Sequence, residues 1–143
     1  MADIADIPST PAPDLSWITK YLGRAYARGA EGPDAYDCWT LFRAVQAELG
    51  RSVPPIMVAS DVSPGALVEL FTHSPTRALW LPIAAPVHGC GVVGHRPLHV
   101  GVWLDVHGGG VLHATSECGV IFTRDAVWAA HGFGRKEYLE AAA

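Results

Sequence analysis

The apolar positions of the first third of the chain recur at helical spacing. Leu15, Ile18, Leu22 and Ala25 follow Asp14, a residue type suited to cap a helix, and predict a first helix reaching about Tyr26. The stretch 28–34 is rich in Gly, Pro and charge and reads as a loop. A second helix is better marked. Asp37 can cap it, Leu41, Phe42, Val45 and Leu49 form one apolar stripe, and Gly50 stops it. Ser63-Pro64 starts a shorter helix carrying Leu67, Val68, Leu70 and Phe71, with proline at its tolerated first position.

From about residue 78 the period shortens to two. Strands are expected at 78–84, 91–94, 99–104, 111–115, 120–123 and 133–139, with one helical turn from Asp125 through Trp128. Pro82 marks the first of these strands as an edge or a strand end. In 99–104, His99, Gly101 and Trp103 alternate with Val100, Val102 and Leu104. Helices first and antiparallel strands afterwards define an α+β chain, not the strand–helix alternation of a parallel sheet. Residues 1–13, rich in Pro, Ala and Ser, read as an extended N-terminal arm, and 14–143 as one domain.

Composition narrows the function. Half of the 143 residues are hydrophobic and 17% are charged, enough to bury one core. A net charge of −4 with scattered Lys and Arg argues against direct nucleic-acid binding, which needs clustered cations. No apolar run approaches the ~18 residues that span a bilayer, so no membrane partner is expected. Residues 1–13 lack a basic start and an apolar run, so no secretory signal is read there. Three cysteines, Cys38, Cys90 and Cys118, cannot all pair within the chain. None lies in a CxxC pair and no HExxH occurs, so no metal or cofactor is called for. By default a free cysteine is a small buried hydrophobe, the reading given to Cys118.

Cys38 invites a chemical reading because it follows the cap Asp37 in the first turn of the second helix. There the outward N–H groups and the helix dipole favour a thiolate. A base must come from elsewhere. His99 opens one strand and His113 lies inside the next, where neighbouring antiparallel strands can set two imidazoles side by side. One can then act as base while the other fixes its tautomer. Gly101, two residues from His99 on the same face, is expected to leave room beside the imidazole for nucleophile or substrate. Trp80 and Trp128 read as core aromatics or interface anchors.

The segments GRAYARGA (23–30) and GPDAYDCWTLFRAV (32–45) resemble the tyrosine–glycine loop and nucleophile helix of NlpC-type cell-wall peptidases. HVGVWL (99–104) and VLHAT (111–115) resemble that family's base strand and third-residue strand, in the same order. The resemblance runs from about Tyr21 to Tyr138 and implies a papain-like fold. It also implies a triad of Cys38 as nucleophile, His99 as base and acid, and His113 as orienting residue. Tyr26 matches the tyrosine whose hydroxyl joins the cysteine N–H in the oxyanion site. The implied substrate is the peptidoglycan stem peptide, cut at the γ-D-glutamyl to diamino-acid amide. Arg28, Glu31 and Asp34 are candidate recognition residues. The Asp-Cys-Trp form resembles the subgroup found in tail modules of bacteriophages and gene transfer agents. That implies a virion component with tail-tip hub or baseplate proteins as partners. Where relatives carry Pro-Gly-Asp before the base strand, this chain has PVHGCG (86–91). An active endopeptidase, a tail-tip structural protein with the same fold, and an amidase or other acyl-transferring member of the papain-like class remain three distinct expectations.

Overall fold

A computed structural model describes residues 15–53, 79–95 and 98–141. The N-terminal arm, the capping Asp14 and the helix expected from Ser63 lie outside the described residues. The chain is α+β, as expected. A short 3-10 turn (Ser16–Lys20) leads into strands β1 (Ala25–Tyr26) and β2 (Ala35–Tyr36), which pair in parallel. Helix α1 (Cys38–Glu48) follows. Then come β3 (Trp80–Ile83), β4 (Gly91–His95), β5 (Leu98–Leu104), β6 (Gly110–Thr115), β7 (Gly119–Arg124), the one-turn helix α2 (Asp125–Trp128) and β8 (Lys136–Ala141). The six later strands form one antiparallel sheet in the order β3-β8-β4-β5-β6-β7.

The first helix expected from the Leu15–Ala25 periodicity is a single turn instead. Gly23 stands at φ +83° and its N–H donates to Val120 O, while Val120 N–H donates to Arg24 O. These bonds to β7 pull the chain out of the helix, so tertiary pairing overrides the local pattern. Helix α1 matches its expectation. Asp37 accepts the Thr40 N–H, and the Thr40 hydroxyl accepts the Asp37 N–H, a reciprocal cap completed by threonine where Glu or Gln is usual. Pro82 sits on the edge strand β3, where its missing N–H does least harm. The last strand starts three residues later than expected, because Phe133 turns inward onto other aromatics.

The sheet separates two apolar layers. Val93, Val100, Val102, Leu104, Leu112 and Ala114 pack with Cys38, Leu41, Phe42 and Val45 of the α1 side. On the other face Val92, Trp103 and Val111 pack with Trp128, and Phe133 lies against them. Trp80 and Trp128 are both buried, so they are core residues and not surface anchors. Among the described residues no helix is long and apolar enough to cross a membrane.

Candidate active site

Cys38 is the first residue of α1 and is wholly buried. Its thiol receives the backbone N–H of Val100, and the amides of Cys38 and Trp39 also favour its ionised form. The sheet explains why the Val100 amide is free to do this. The β5–β6 ladder ends at Gly101 opposite His113, although β6 continues alongside β7 to Thr115. Trp103 N–H is directed to Cys90 O on the β4 side, so by alternation the Val100 N–H points to the β6 side. There the ladder is already open. The thiol enters that gap from the helix layer.

His99 precedes Val100 on β5 and projects from the opposite face. Its Nε2 lies 2.7 Å from Nδ1 of His113, and Nε2 of His113 lies 2.9 Å from the Thr123 hydroxyl on β7. Both histidines are buried, at 2% and 0% exposure. They are enclosed by Trp128 and Phe133, whose ring centroids stand 5.2 and 5.1 Å from that of His113. The sequence reading that His99 and His113 lie side by side on adjacent strands therefore agrees with the structure. The room expected beside Gly101 does not. A Cβ there would meet Val111 Cγ1 at 2.7 Å and both His113 Cβ and Leu112 O at 2.9 Å, so the glycine lets β6 approach. Space for the imidazole comes from Gly94, directly opposite His99, where a Cβ would stand 2.8 Å from His99 Cε1.

Burial sets the electrostatics. It pushes the Cys38 thiol up to about 12, outweighing the amide donors, and Asp37 adds to the rise. The low thiol expected from a helix start is therefore not what this closed arrangement gives. Burial, then the neighbouring His99, takes His113 down to about 3, so His113 is a neutral imidazole. A group depressed on folding contributes stability that is complete above its unfolded value near 6.5 and is lost as pH falls through its folded value. Denaturant unfolding at stepped pH should show stability falling between pH 6.5 and 4.5 by up to ~1.4 kcal/mol per pH unit from this group. His113→Gln should flatten that slope. An unchanged slope would mean that His113 is not buried in its neutral form.

The Tyr26 hydroxyl is buried without a hydrogen-bond partner. Burial raises it to about 12, with the Cys38 thiol and Asp37 adding to the rise. The nearby Arg28 side chain opposes this rise. Arg28, Glu31 and Asp34 are exposed, and Glu31 faces Arg43 at 3.9 Å. In the 86–91 segment His88 Nδ1 accepts the Asp105 N–H and Cys90 is buried. Among the described residues no group of three or more His, Cys, Asp or Glu could hold a metal ion. Cys118 is exposed, not buried as expected, because it sits in the β6–β7 turn. It lines a cleft of about 500 Å³ with Thr115, Glu117, His131 and Phe133. Phe133 is thus a wall shared by this cleft and the histidine pair.

The sequence reading missed Gly94, Thr123, Phe133 and the aromatic enclosure. Thr123 was within reach of a register argument, since Ile121 and Thr123 alternate onto the face of β7 that carries His113 on β6. No protein-family model matches the chain, and no curated protein matches it.

Proposed function

We propose that the protein is a papain-like cysteine peptidase of the NlpC type that cuts peptidoglycan stem peptides. The observation that carries the reading is the constellation at the open end of the β5–β6 ladder. The thiol of Cys38 accepts the Val100 N–H on the helix face of β5, and on the other face the preceding residue, His99, is hydrogen-bonded through Nε2 to a buried second histidine. A thiol, a base and an orienting group are the parts that acyl transfer through sulfur requires. A helix that begins with the nucleophile and packs on an antiparallel sheet also suits a papain-like fold.

In this reading the thiol on the helix side of the sheet and the imidazole on the other side must meet through the open ladder end. Nδ1 of His99 then takes the Cys38 proton as sulfur attacks the scissile carbonyl carbon. The C–S bond forms and the carbonyl π pair moves to oxygen, towards the Cys38 N–H and the partnerless Tyr26 hydroxyl. When the tetrahedral adduct collapses, the C–N bond breaks and His99 returns its proton to the departing amine. Water, deprotonated by His99, then releases the acid and restores the thiol. The bond we assign is the γ-D-glutamyl to diamino-acid amide. We place the protein at the tail tip of a phage or gene transfer agent particle, bound to hub or baseplate proteins.

One observation favours a second reading, a tail-tip structural protein that keeps the fold without hydrolysis: the thiol and both imidazoles are almost wholly buried. Purified peptidoglycan separates the two. The peptidase reading expects soluble fragments whose masses place the cut at that amide. Sacculi left intact, in an assay where the protein still joins tail-tip proteins, would leave the structural reading in its place.

A further inference from the structure

We propose that Thr123 is a positioning residue whose hydroxyl accepts the Nε2–H of His113, fixing the tautomer that makes His99 Nδ1 the basic nitrogen. The inference rests on the peptidase reading for its catalytic consequence, though not for the tautomer itself. A neutral imidazole has one N–H and one lone pair, so the chain Thr123–His113–His99 can be polarised in only two ways. If the threonine donates, His113 Nδ1 carries the proton and donates to His99 Nε2. A neutral His99 then holds its proton on Nδ1, and no lone pair remains there for a thiol. If the threonine accepts, His113 Nδ1 receives the His99 Nε2–H and Nδ1 of His99 is left with its lone pair. Only the second polarity gives a base.

The structure favours a dedicated role for this hydroxyl. Thr123 is 3% exposed and stands two residues from the register partner of His113, on the same face of the sheet. Its Oγ1 is 2.9 Å from His113 Nε2 on the face of the sheet that carries the apolar layer of Val92, Trp103, Val111 and Trp128. A valine would fill the same volume and suit a strand equally well. Packing therefore does not account for the hydroxyl.

Nitrogen-15 NMR of the full chain with labelled histidine reads the tautomer directly. Wild-type His113 should be protonated on Nε2 and unprotonated on Nδ1, and Thr123→Val should lose that fixed form. With peptidoglycan fragments as substrate, Thr123→Val should lower kcat about tenfold, the worth of one neutral hydrogen bond, with KM unchanged. Thr123→Ser should restore most of it. Wild-type His113 protonated on Nδ1 would overturn the proposal, as would a valine variant that keeps both tautomer and kcat. The spectrum needs no turnover. Absence of activity in the wild-type protein would remove the peptidase reading and leave the tautomer assignment to be decided by NMR.

Discussion

Cys38→Ala is expected to abolish release of fragments from peptidoglycan while leaving the fold in place. Removing a nucleophile that acts with a base costs about four orders of magnitude or more in kcat, because the remaining groups have nothing to activate. The structural cost is small. One buried sulfur is lost from a layer held by Leu41, Phe42, Val45 and the β5–β6 valines and leucines, worth about 1 kcal/mol. A second signature separates chemistry from packing. The thiol is raised by folding, so its contribution to stability is complete below its unfolded value near 9 and is lost as pH rises towards about 12. The alanine variant should therefore lose less stability than wild type between those limits. Tyr26, also raised to about 12 by burial, leaves a residual slope in both proteins. Unchanged digestion by Cys38→Ala would remove the nucleophile assignment.

What could be read from the sequence was what local chemistry dictates. Asp37 before an apolar stripe gave α1 and placed Cys38 in its first turn. The two-residue period of 99–104 and 111–115, with a glycine turn between them, brought His99 and His113 to one face. What escaped was set by long-range pairing. The Leu15–Ala25 periodicity is helical, yet Gly23 and Arg24 pair with Val120, nearly 100 residues later. Strand β8 enters the sheet between β3 and β4, an order that no local pattern encodes. Burial escaped for the same reason. The helix start lowers a thiol only while water or an imidazolium stands beside it, and here the helix-side core closes over the thiol. A residue's chemical type was legible, whereas its dielectric surroundings required the whole fold.

The two glycines flanking His99 should separate stability from catalysis when each is given a single methyl group. Gly101→Ala drives a Cβ onto the Leu112 carbonyl and the His113 Cβ, both tied to the β6 backbone, as well as onto Val111 Cγ1. The strands must part, at a cost of about 1–3 kcal/mol and a Tm lower by roughly 3–10 °C. Trimming Val111 to alanine in the same chain should recover only part of the loss, since the backbone-tied contacts remain. His113 moves with its strand, so kcat falls as well. Gly94→Ala meets something different: the edge of the His99 ring, at 2.8 Å from Cε1 and 3.1 Å from Nδ1. A ring can swing where a backbone cannot, and the price in Tm should be smaller. The swing, however, takes Nε2 away from the 2.7 Å contact with His113 and turns the Nδ1 edge of the proposed base. Calorimetry and peptidoglycan turnover on the two variants should therefore diverge, with Gly101→Ala the less stable and Gly94→Ala losing kcat out of proportion to its Tm. Gly94→Ala retaining wild-type turnover would mean that the imidazole orientation seen here is not the one that works.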